Sequence, residues 1–138
     1  MSASDKTVVV VDDEGALRQL AAKLIERHGY RVLTAGSGDE ALALLADGAH
    51  VDLMVLDVMM PGKSGLETLE EVRRRGHTQL PVVLLTAQAK DEQIISGYQQ
   101  GADCYLTKPL EPSVLLNTID YLIGDLSAAE RARLEALL

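Results

Sequence analysis

Five polar side chains stand out by type and by setting: Asp12, Asp13, Asp57, Thr86 and Lys108. They follow short apolar or β-branched runs, VVVV before Asp12 and Asp13, LMVL before Asp57, VVLL before Thr86 and CYLT before Lys108. Such runs read as strands buried on both faces, the mark of a parallel sheet. In open parallel sheets the carboxyl ends of the strands share one edge, where ligands bind. Three carboxylates gathered there repel one another, and each resists ionising unless a cation joins them. Mg2+ suits that role, because it takes oxygen ligands and leaves positions for water or a phosphoryl oxygen. The Lys108 ammonium and the Thr86 hydroxyl suit a tetrahedral dianion, each charge-assisted hydrogen bond being worth about 1.5–3 kcal/mol.

The elements that must position these groups alternate along the chain. Strands are expected at residues 7–11, 31–35, 51–56, 82–85 and 103–106. After the first, Leu17, Leu20, Ala21, Leu24 and Ile25 fall at helical spacing, and Gly29 marks the stop. Ser37 to Glu40 and Ser64 to Glu67 each have the Ser-x-x-Glu pattern of a capping box opening a helix. A weaker helix is expected at residues 90–100, with Gly97 inside it at a cost of about 1 kcal/mol, so that it moves most easily. A further helix spans residues 112–123, with Leu115, Leu116, Ile119, Leu122 and Ile123 inward. Right-handed crossovers between parallel strands place such helices on both faces of one α/β sheet.

Composition narrows the function classes. The 138 residues are 47% hydrophobic and 25% charged, which suits one globular core, and with four Tyr and no Phe or Trp that core must be aliphatic. A formal charge of −8 argues against nucleic-acid or anionic-membrane binding by this domain. No apolar run is long enough to span a bilayer and no signal-peptide core opens the chain, so a cytoplasmic location is expected. Cys104 is read as a packed core thiol.

The segments VVVVDDE, LMVLDVMMPGKSG, VVLLTA and CYLTKP, in this order and spacing, resemble the receiver domain of two-component response regulators. The resemblance covers about residues 7–123. It implies a flavodoxin-like, doubly wound parallel sheet of strand order 2-1-3-4-5. It implies Asp57 as phosphoacceptor, taking a phosphoryl group from a histidine kinase or a histidine phosphotransfer protein, with no turnover of external substrates. Asp12, Asp13, Asp57 and the backbone carbonyl of Met59 would hold Mg2+, and Lys108, joined to Pro109 by a cis bond, would pair with the phosphoryl oxygens. Thr86 and Tyr105 would form the switch, coupling the site to a face made by the fourth helix, the fifth strand and the fifth helix. That face would address an output domain or target protein. Residues 1–124 would form this domain and 125–138 a helical extension or the start of a linker.

Plainer readings stand beside these. A lone Asp57 would be a loop residue, and Tyr105 a core or surface aromatic; the matched set of motifs decides against the first. His28 caps a helix dipole, His50 and His77 lie in loops without neighbouring ligands, and Arg73 to Arg75 form a solvated helix end. Met59 and Met60 pack the loop, in which Lys63 places a charge able to alter partner choice and dephosphorylation. A flavodoxin-like cofactor binder would need a phosphate-cradling loop where Asp12, Asp13 and Glu14 would instead repel one. An aspartyl phosphatase would carry an acid where Met59 stands, and a degenerate receiver would lack Asp57, Thr86 or Lys108. Ser127 to Glu130 opens a last short helix that must fold back, pair with a second copy to give a homodimer, or lead toward an output domain.

Overall fold

The computed structural model describes residues 5–87 and 101–137. Five strands, β1 (Thr7–Val11), β2 (Arg31–Ala35), β3 (Leu53–Asp57), β4 (Val82–Thr86) and β5 (Cys104–Thr107), pair in parallel in the order β2-β1-β3-β4-β5. The described helices are α1 (Gly15–Arg27), α2 (Gly38–Ala46), α3 (Gly65–Arg74), α4 (Pro112–Ile123) and α5 (Ala128–Leu137). The helix expected at residues 90–100 lies outside the described residues.

Strand side chains alternate between faces, and each face meets its own helices. Val9, Val11, Met54, Leu56, Val82 and Leu84 pack with Leu42, Leu45, Leu69 and Val72 of α2 and α3. Val8, Val10, Leu53, Val55, Val83 and Leu85 face Ala21, Ile25, Leu115, Ile119 and Ile123 of α1 and α4. All residues of β1, β3 and β4 are buried, as continuous apolar runs in a doubly covered sheet require. Each fully buried aliphatic side chain contributes about 1.5–3 kcal/mol relative to exposure.

Several expectations need correction. Val51 and Asp52 precede β3, which begins at Leu53 and takes in Asp57 itself. Of the apolar residues at helical spacing on α1, Ala21 and Ile25 seat it on the sheet, whereas Leu17 and Leu20 are 39% and 56% exposed. The capping box at Ser37 is half formed, because Ser37 Oγ accepts from Glu40 N while the Glu40 carboxylate accepts from Gly36 N instead. The boxes at Ser64 and Ser127 are complete. Arg73 is no solvated helix end: it donates to the carbonyls of His77, Leu80 and Gly101 and ties the foot of α3 to the approach to β5.

Other polar residues also find partners. His28 Nε2 lies 2.7 Å from Asp120, which accepts from Tyr30 OH at 2.5 Å as well, joining the end of α1 to α4. His50 has a neighbour after all, Asp52 at 3.1 Å. Cys104 is half-buried against the α1 and α4 side, and burial pushes its thiol pKa up. Helix α5 folds back on α4: Tyr121 OH donates to Glu135 at 2.7 Å, and the Arg131 guanidinium stacks 5.3 Å from the Tyr121 ring centroid. No residue of α5 is buried, so these contacts around Tyr121 hold it.

Candidate functional site

The strand order reverses between β1 and β3, where crossovers leave to opposite faces and open a crevice at the carboxyl edge. Asp12 and Asp13 follow β1, and Asp57 ends β3, so two strands aim carboxylates into that crevice. Each of Asp12, Asp13 and Asp57 offers an oxygen within 4.8 Å of the others. Asp12 and Asp57 are 2% and 3% exposed, while Asp13 faces solvent. Lys108, just past β5, brings its Nζ to 3.3 Å from Asp12 Oδ2 and 3.3 Å from Asp57 Oδ2.

Backbone and neighbouring groups hold the carboxylates in place. Glu14 N donates to Asp12 Oδ1 at 3.0 Å, and Arg18 NH1 donates to the Asp12 carbonyl at 2.7 Å. The Met59 backbone amide bonds the Asp57 carboxylate. Lys108 N donates to Thr86 O at 2.8 Å, and the Lys108-Pro109 bond is cis. Beyond Asp57, Gly65 N donates to Val58 O at 2.9 Å, folding the start of α3 onto the strand end. A Cβ at Gly65 would stand 2.2 Å from Asp57 O, so only glycine permits this approach.

Burial shapes the charges. It pushes the Asp57 carboxyl up to about 6; the adjacent Lys108 lowers it, and Asp12 raises it. Burial also works against the Lys108 ammonium, but Asp57 and Asp12 outweigh it and hold the lysine above its ordinary value. One ammonium against three carboxylates leaves a half-buried surplus of negative charge, which a divalent cation relieves. Three convergent carboxylate oxygens are a hard donor set and fit Mg2+.

Thr86 is buried at the end of β4, in register with Thr107, and Tyr105 is paired with Leu84. Parallel register and two-residue alternation put Thr86 and Tyr105 on the same face of the sheet, the α2 and α3 side, where Tyr105 packs. Met60 is buried in that cluster, whereas the Met59 side chain is 65% exposed and contributes through its backbone. The site thus brings together Asp12, Asp13, Asp57 and Lys108, with Thr86 beside them on the next strand end.

Sequence reasoning missed Arg18, Gly65 and the partners of Lys63. Arg18 offered only a faint signal, a cation one helical turn into the element that leaves the acidic turn. Beside the carboxylates an apolar cavity of about 560 Å³ opens between α1 and the chain after Lys108, lined by Leu17, Leu20, Leu24, Pro109 and Leu110. Leu17 and Leu20, the exposed leucines of α1, are among its walls.

A doubly wound sheet with an acid cluster and a lysine at its carboxyl edge defines a class of ligand-binding α/β domains. Residues 8–120 match the response regulator receiver domain model, and the chain belongs to that family, a signalling domain. It is 43% identical over 112 residues to the transcriptional regulatory protein CpxR of Klebsiella pneumoniae, covering 81% of this chain and 47% of that one. It is 38% identical over 112 residues to the phosphate regulon transcriptional regulatory protein PhoB of Pseudomonas aeruginosa, covering 80% and 48%. The chain spans about half the length of the curated relatives it matches. Among solved structures it is similar to the chemotaxis protein CheY4 of Vibrio cholerae, at TM-score 0.81 and 34% identity, covering 86% of this chain and 98% of that one. TrrA of Thermotoga maritima, solved in complex with Mg(2+)-BeF, aligns at TM-score 0.76 and 35% identity, covering 86% and 99%. Among the described residues no helix is long and apolar enough to cross a membrane.

Proposed function

We propose that Asp57 accepts a phosphoryl group from a phosphohistidine on a histidine kinase or a histidine phosphotransfer protein, and that the resulting acyl phosphate switches the domain's output state in the cytoplasm. The observation that carries this reading is the placement of Asp57: buried at the end of a central strand, within reach of two other carboxylates and 3.3 Å from Lys108.

Asp57, with its pKa at about 6, is ionised at neutral pH and supplies the attacking oxygen. An Asp57 Oδ to phosphorus bond forms as the donor's phosphorus to nitrogen bond breaks, and the imidazole leaves with the electron pair. Lys108 is close enough to follow the new charge, and the Thr86 hydroxyl donates to a phosphoryl oxygen. Asp12, Asp13, Asp57 and the Met59 carbonyl would hold Mg2+, which when bound neutralises the carboxylates and the incoming oxygens. Hydrolysis returns the carboxylate, so the domain acts on itself rather than turning over an external substrate. The apolar cavity between α1 and Pro109 gives the donor an apolar place to seat against Leu17 and Leu20.

The added charge draws Thr86 toward the phosphoryl group, and Tyr105, on the same face, responds to the space that opens. This transmits the signal to β5 and α4, which, with the helix expected from the sequence at residues 90–100, outside the described residues, address an output domain or target protein. Residues 1–124 make up the switch, and 125–138 form an extension or the start of a linker, with α5 latched to Tyr121.

The test is intact mass after incubation with a small acyl phosphate and Mg2+. Wild type gains one phosphoryl group and Asp57→Asn gains none; equal labelling of the two would overturn the assignment.

A further inference from the structure

After Asp57 the chain must turn back on itself through residues 58–64 before α3 begins. The first half of that loop is anchored by Met60, buried against the sheet, and by the bond from Gly65 N to Val58 O. Pro61 and Gly62 are exposed. Lys63 is different. Its Nζ donates to Glu71 Oε1 at 3.1 Å, two turns along α3, and lies 3.9 Å from Asp39 in the first turn of α2. Its stem crosses the backbone of Gly38: a Cβ there would sit 3.2 Å from Lys63 Cδ and 2.0 Å from Thr68 Oγ1. Thr68 is fully buried and donates to Ser64 O at 2.8 Å, so the same contact zone grips the other end of the loop. Glu71 stays ionised, held below the ordinary carboxylate range by the Lys63 bond first and then by the nearby charges of Lys63 and Arg75.

We infer that Lys63 is a positioning residue for the phosphoacceptor site: by bridging Glu71 of α3 and lying over Gly38 of α2, it fixes the loop that carries Met59 against Asp57. The inference rests on the proposed roles of Asp57 and the Met59 carbonyl. Lys63 touches neither donor nor cation and acts through the backbone. A loop already held spends less free energy on ordering when the Met59 carbonyl is recruited.

Tether and charge predict opposite signs. As a through-space charge, Lys63 disfavours a cation in the acid cluster, so neutralising it would tighten Mg2+ binding. As a tether, it favours binding, so Lys63→Met, which keeps the stem and loses the bridge, weakens binding. Calorimetric titration of the full chain with Mg2+ at fixed ionic strength, alongside a urea melt of each variant, reads the sign directly. The expected result is a Kd raised about three- to tenfold in Lys63→Met, near wild type in Lys63→Arg, and raised in Glu71→Gln. Unchanged or tighter binding in a folded Lys63→Met overturns the inference; should that variant fail to fold, unchanged binding in Glu71→Gln does so. A wild type that neither binds Mg2+ nor gains a phosphoryl group overturns the reading of Asp57 itself, which a normal wild type with an unaltered Lys63→Met leaves standing.

Discussion

The Lys108 ammonium stands 3.3 Å from Asp57 Oδ2, and it is shared at the same distance with Asp12. Lysine and a divalent cation therefore draw on the same carboxylates. Lys108→Met should tighten Mg2+ binding, because a competing positive charge is gone. It should also slow labelling by a small acyl phosphate about tenfold or more, through the loss of one charge-assisted bond to the phosphoryl group. Calorimetry and timed mass spectra measure the two effects separately, and weaker Mg2+ binding would contradict the competition.

The raised pKa of Asp57 has a stability consequence of definite sign. The folded chain keeps the Asp57 proton up to about pH 6, and the unfolded chain loses it near 3.8. Between those values the folded state binds more protons, so stability without metal falls as pH rises through the window and levels off above about 6. The loss is of the order of 2–3 kcal/mol. Urea midpoints in a chelator should show the fall in wild type, a smaller one in Asp57→Asn, and recovery on adding Mg2+, which favours the ionised form.

Gly65 has no room for a side chain, since a Cβ would press on the Asp57 carbonyl at 2.2 Å and on Val58 Cα at 2.8 Å. Gly65→Ala should cost about 2–3 kcal/mol in a urea melt. The strain falls on the strand end that carries Asp57, so Mg2+ affinity should drop with it. A silent Gly65→Ala would mean that the start of α3 can slide away freely.

Tyr30 anchors a second polar cluster, remote from the acids, in which Asp120 of α4 receives both Tyr30 and His28. Tyr30→Phe should lose about 1–2 kcal/mol, a buried hydrogen bond to a charged group. Burial first, and then Asp120, hold the Tyr30 phenol well above its ordinary 10.0. Its contribution to stability is therefore full below pH 10 and declines as the unfolded chain ionises above it. An absorbance titration that found Tyr30 ionising at its ordinary 10.0 would refute this.

The chain's own order of residues settled the architecture. Apolar runs of β1, β3 and β4 can be satisfied only by cover on both faces, and this periodicity is a local property. Because parallel strands all finish at one edge, a sequence that puts Asp12, Asp57, Thr86 and Lys108 after such runs already commits them to neighbourhood. Ser64 and Glu67 formed their box for the same reason: a capping box closes within four residues.

What tertiary structure alone decided depends on pairs far apart in the chain. Leu17 and Leu20 sit at core spacing on α1, but the sheet behind them is met by Ala21 and Ile25, so the leucines face the cavity near Pro109. Arg73 lies in the last turn of α3, where arginine usually favours the dipole in solvent, yet the chain before β5 presents a carbonyl to it from Gly101. His28 and Asp120, or Lys63 and Asp39, become partners only once α1 lies beside α4 and the loop after β3 reaches α2. Hydrophobic period is written within a few residues and survives reading one segment at a time. Which polar group meets which is fixed by the rotation and seating of whole helices, and no single segment carries that information.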